Sequence, residues 1–111
     1  MLIIDGNTIT LTRGDSLPLE VTLKNKDGTE YEPIAGDVIR FAISKGYKGQ
    51  ANYTLMYKQT IDPATLAFTM PADETGKLDY ITYNYDVEVT HPGGLVDTFI
   101  SDKLTITGEV D

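Results

Sequence analysis

The chain has 111 residues, no cysteine and a formal net charge of −8. That length corresponds to one domain, residues 1–111, able to bury roughly 65% of its unfolded surface without metal or disulfide support. The lack of cysteine excludes disulfides, thiol nucleophiles and thiolate metal sites. The nine scattered basic residues argue against a nucleic-acid binder, which needs a basic patch for counterion release.

In chain order, residues 1–6 have neither a basic region nor a long apolar run, so no signal peptide is expected. No stretch approaches the roughly 20 apolar residues of a membrane span, so synthesis in the cytoplasm without membrane insertion is expected. Thr8 to Thr12 alternates strictly and reads as a strand, with Ile9 and Leu11 on one face. Arg13-Gly14-Asp15 ends it. This tripeptide invites an adhesion reading, but a glycine-aspartate turn after a strand explains it without one. In the next run Leu17, Leu19, Val21 and Leu23 share a face. Pro18 has no N–H, which places it at a strand start or on a sheet edge. Asp27-Gly28 marks a turn.

Residues 38–44 form a strand with Ile39, Phe41 and Ile43 inward, and residues 45–52 a loop with two glycines. Residues 53–61 read as extended with an undecided inward face. Leu66, Phe68 and Met70 alternate in a further strand. Residues 71–78 suit a short helical turn, with proline first, acids next and Gly76 as the stop. Tyr83, Tyr85, Val87 and Val89 then line one face of a strand. His91-Pro92-Gly93-Gly94 turns the chain, and residues 96–100 return as a hairpin. Residues 103–110 close the domain as a final strand.

The spacing predicts seven to eight short strands and an all-β, antiparallel two-sheet sandwich, with a small closed barrel as the alternative. Its expected core is Leu19, Val21, Ile39, Phe41, Ile43, Phe68, Tyr85, Val87, Val89, Leu104 and Ile106. Residues 8–12 and 104–110, near the chain ends, are expected at sheet edges, where strand addition mediates docking or self-association.

Three ordered pieces carry a family resemblance. They are residues 10–16 (Thr-Leu-Thr-Arg-Gly-Asp-Ser), residues 37–43 (Asp-Val-Ile-Arg-Phe-Ala-Ile), and the hairpin of residues 83–100 followed by Lys103-Leu104-Thr105-Ile106. Their order and spacing resemble small immunoglobulin-like β-sandwich proteins of tailed bacteriophages and of prophages of Gram-positive bacteria. The N-terminal domain of the phage upper baseplate protein is similar in layout. That family commonly has a glycine before the last strand. Ser101-Asp102 stand there in this chain, so a turn of another type is expected. The resemblance implies an immunoglobulin-like fold and a non-enzymatic virion structural role in tail or baseplate assembly. It implies protein-protein contacts with other tail or baseplate proteins or with itself, and a place in the bacterial cytoplasm at synthesis and then in the virion. It brings no catalytic residues and no cofactor.

The alternative function is a binding module for a host-surface glycan or protein. Tyr47, Tyr53 and Tyr57 are its candidate ligand-binding residues, because they flank a glycine-containing loop and aromatic faces stack on sugars. Tyr83 and Tyr85 share a face with valines and belong to the core, where one of them fits a tyrosine corner. His91, the lone histidine, stands in a turn without a recognisable nucleophile and acid at catalytic spacing. Asp73, Glu74 and Asp79 lack the spacing of a calcium loop and read as a solvated acidic turn, so no metal site is expected.

Overall fold

The β7–β8 hairpin anchors the molecule. The computed structural model of the chain describes residues 1–108. Strand β7 (Thr82–Thr90) buries Tyr83, Tyr85, Val87 and Val89 and leaves the residues between them half-exposed. It is flanked by β4 (Val38–Lys45) on one side and β8 (Val96–Thr107) on the other, both antiparallel to it. Strand β5 (Thr54–Ile61) adds beyond β4. Strand β2 (Thr8–Thr12) adds beyond β8, and β1 (Leu2–Asp5) pairs with β2. The result is a six-stranded sheet in the order β1-β2-β8-β7-β4-β5. A two-stranded sheet, β3 (Leu17–Glu20) with β6 (Ala67–Met70), packs over it. Both sheets line one core, in which the Phe41 ring lies 4.8 Å from that of Phe68 and 5.7 Å from that of Tyr85. The short helix α1 (Ala72–Thr75) follows β6 within the expected helical turn.

Of the expected core, Ile39, Phe41, Ile43, Tyr85, Val87, Val89, Leu104 and Ile106 are buried. Leu19, Val21 and Phe68 are only partly buried, packed against the core from the small sheet, because two strands cannot cover six. The open edges β1 and β5 rule out the closed barrel.

Several expectations need correction. The large sheet is mixed rather than antiparallel, since β2 and β8 run parallel, Ile9 opposite Leu104 and Leu11 opposite Ile106. These two strands come from opposite ends of the chain, and no hairpin forces them antiparallel. For the same reason neither is an edge: β2 lies between β1 and β8, and β8 between β2 and β7. Residues 2–5 supply one edge of the sheet, and β5 the other. Ser101-Asp102 make no turn. They lie within a single 12-residue strand, and the last residues of the expected closing strand, Glu109 and Val110, lie outside the described residues.

Strand β8 is not regular. The register with β7 shifts between Val87 and Glu88, which pair with Ile100 and Thr98, leaving Phe99 unpaired in a bulge. A bulge reverses side-chain parity. Leu104 and Ile106 face the core on even positions, whereas beyond the bulge Asp97 pairs with the inward Val89. Among the described residues no helix is long and apolar enough to cross a membrane.

Candidate docking surface

The tyrosines singled out for ligand binding do not form one platform. Tyr47 stands in the β4–β5 loop, well exposed, with the Lys103 ammonium 5.2 Å from its ring centre and 3.1 Å from its hydroxyl. That lysine also bonds Asn84, whose amide nitrogen donates to the Gly46 carbonyl. The loop is thereby held on the outer face of the large sheet. Lys48 reinforces it, 2.8 Å from Glu88 and 3.8 Å from Asp86. The hydrogen bond to Glu88 raises the Lys48 pKa, against the effect of burial. Lys48, the basic residue of this loop, is thus engaged by the chain's own acids. Tyr53 is half-buried just ahead of β5. Tyr57 lies opposite Ile43, turns inward against the core, and donates its hydroxyl proton to Gln59.

The motifs read as structural make contacts within the chain, Arg13 between segments and the acidic turn at the surface. The Arg13 Nε donates to the Gly76 carbonyl at 2.9 Å, and its guanidinium lies 5.3 Å from the Tyr80 ring centre. Asp73 and Glu74 sit on α1, and Lys77 pairs with Glu74 at 3.1 Å. Among the described residues no group of three or more acids and histidines is placed to hold a metal ion. The Tyr83 hydroxyl accepts a hydrogen bond from the Asp79 N–H at 2.8 Å, a tyrosine-corner contact to backbone four residues upstream.

His91 has partners that its sequence neighbourhood does not reveal. Its Nδ1 lies 2.9 Å from Asp37 Oδ1, and its Nε2 lies 2.8 Å from Asp97 Oδ2. Asp37 is buried and also accepts from the Tyr31 hydroxyl and the Ile34 N–H. The hydrogen bonds to Asp37 and then Asp97 raise the His91 pKa. Burial pushes Asp37 up, but the bonds from Tyr31, Ile34 and His91 outweigh it and hold its carboxyl below the usual range. The hydrogen bond to Asp37, with burial, pushes the Tyr31 phenol up to about 12. Gly36 permits this approach: a Cβ there would stand 2.9 Å from the Pro92 ring, and its φ of 90° suits glycine alone. With both ring nitrogens facing carboxylates, the imidazole is built to clamp the β3–β4 connection onto the β7–β8 turn.

A cavity with apolar walls lies at the other flank of the small sheet. Strand β3 has β6 on one side and, among the described residues, no strand on the other. Along its open side runs this cavity of about 350 Å³, walled by Leu19 and Val21, by Ile4 and Ile9, and by Phe99 and Ile100. Tyr85 and Val87 also line it. Burial, and then the nearby Asp102, pushes the Tyr85 phenol up to about 12, and its hydroxyl donates to the Asn7 carbonyl.

The backbone of β3 faces this cavity in an orderly way. Val21 N–H bonds the Leu66 carbonyl at 2.8 Å, and Leu19 is paired with Phe68, so the odd-numbered residues direct their main-chain groups to β6. By alternation, Pro18 and Glu20 direct theirs to the open side, and Thr22, just past the end of β3 between Val21 and Leu23 whose groups bond Leu66 and Tyr31, continues the run. Proline's missing N–H therefore falls where no partner strand stands. The sequence carried one signal of this edge, Pro18, but not the site itself. The facing walls come from strands that only the fold brings together. No family model and no curated protein matches the chain.

Proposed function

We propose that this chain is an immunoglobulin-like structural module of a phage or prophage virion, non-enzymatic, which acts in tail or baseplate assembly through contacts with other proteins. The strand order supports the fold assignment. In immunoglobulin variable-type domains one sheet contains G, F, C and an added strand, faced by a sheet that contains B and E. Here β8-β7-β4-β5 follow the first order, and β3-β6 correspond to the second. The tyrosine corner at Tyr83 agrees with this reading.

The observation that carries the assembly role is the open flank of β3, a strand edge set beside a cavity with apolar walls and a polar rim. Such an edge is a liability for a free-standing soluble protein and an asset for one completed by a neighbour. The module is made in the bacterial cytoplasm and then built into the particle. The test is to purify particles from a lysogen carrying the gene and to cross-link them through lysines before mass spectrometry. Cross-links from Lys24 or Lys26, beside the cavity, to a tail or baseplate protein are the expected result. Particles that lack the chain overturn the proposal.

A further inference from the structure

Resting on that reading, we infer that the open edge of β3 accepts an extended segment of another polypeptide, apolar at alternate positions and basic between them, as an added strand antiparallel to β3. In an immunoglobulin constant-type sheet the B strand has A on one side and E on the other. In this chain β6 takes the place of E, whereas β1 and β2, the strands before β3, pair into the opposite sheet. The position beside β3 is left open, and its inner wall is the half-buried apolar surface of Leu19, Val21, Phe99 and Ile100.

The main chain sets the register. Glu20 and Thr22 offer N–H and C=O groups, and Pro18 a carbonyl, toward the opening, so the added strand pairs across residues 18–22. Its alternate side chains enter the cavity, and the others face solvent beside Glu20. Charge selects among occupants. Two charged residues line the cavity, Glu20 within the paired stretch and Lys24 beyond its end; Asp5 adjoins the lining Ile4 and Asp102 pairs with the lining Tyr85, in a chain of net charge −8. A second copy of the chain would bring the same charge to the contact. A basic segment is attracted to it.

The test uses the whole chain and a synthetic capped peptide of alternating valine and lysine, with hydrogen exchange read by NMR. At about 1 mM peptide, the Glu20 and Thr22 amides are expected to gain at least roughly ten-fold protection. Glu20→Pro removes one outward donor and no internal bond, as Pro18 already does. It is expected to weaken peptide binding by roughly ten-fold or more while the Tm stays within about 2 °C. An alternating valine and glutamate peptide is expected not to bind, and added salt to weaken the lysine peptide. Lack of protection at Glu20 and Thr22, protection confined to β1 or β5, or equal binding by Glu20→Pro overturns the inference. A dimer that Glu20→Pro dissociates makes a second copy the occupant and overturns the one named here. The virion reading stands or falls separately, on whether purified particles contain the chain.

Discussion

Phe41 shows how much one side chain carries. It is fully buried where the two sheets meet, stacked near Phe68 and Tyr85. Phe41→Ala is expected to cost ~3–5 kcal/mol in urea denaturation, because the rings around it belong to both sheets and cannot collapse into the space. A loss below ~1 kcal/mol would mean that the site relaxes. At His91 the relevant variable is pH. Its pKa is raised in the folded state by Asp37 and Asp97, so the clamp's stabilisation is fully present below the unfolded value of about 6.5 and is lost as pH rises through the folded value. Asp37 is lowered, so its contribution is present above about 3.8 and is lost as pH falls through its folded value. The difference in urea midpoint between the wild type and His91→Gln should therefore be largest between about pH 4 and 6.5 and should shrink toward pH 9. A difference that does not change with pH would show that the ring is neutral when clamped.

At the scale of elements, β2 and β8 are informative because both look like edges in the sequence and neither is one. Thr10 stands opposite Ile3 on one side and Thr105 on the other. Its N–H has a neighbouring strand whichever way it points. Thr10→Pro is therefore expected to break a ladder bond and bury an unmatched carbonyl, at a cost of ~1–3 kcal/mol seen in thermal melts by circular dichroism. Glu20→Pro in β3 should leave the melt almost unchanged. A pair of prolines with opposite effects, both in short strands, would map which backbone groups the fold uses. Equal melts for the two variants would mean that β2 is free on one side. The bulge at Phe99 acts at the same scale. It turns Asp97 to the face of β7 that carries Val89 and sets Phe99 4.9 Å from Tyr31, so a one-residue irregularity assembles the His91 clamp.

For the whole molecule, the parallel pair β2–β8 joins residue 9 to residue 104 and closes nearly the full chain. Closing so long a loop costs entropy that no local contact repays, and folding dominated by such pairs runs in the millisecond-to-second range. The central hairpin and β4 are expected to form first, with β2 docking after the transition state. Leu11→Ala, at a fully buried β2 position, should then mainly speed unfolding in stopped-flow chevrons, with little change in the folding rate. A folding rate that falls by the full equilibrium loss would place β2 in the nucleus instead.

What the sequence by itself determined were those features governed by neighbours along the chain. Two-residue alternation placed Tyr83, Tyr85, Val87 and Val89, and likewise Ile39, Phe41 and Ile43, on buried faces. Proline and acids marked the short helix, and Pro18 marked an edge. Each depends on φ, ψ and side-chain period, which are local quantities. Which strands become neighbours is not local. The sheet order, the parallel β2–β8 pair and the bulge follow from how a limited apolar surface is shared between two unequal sheets. The same sharing separated Tyr57 from Tyr47, brought Asp37 and Asp97 to the two nitrogens of His91, and left β3 open beside its cavity. Asp37 and His91 stand 54 positions apart, and the walls of the cavity run from Ile4 to Ile100. Only the packed chain decides such contacts, because burial free energy depends on total apolar area covered and not on the order in which its residues occur.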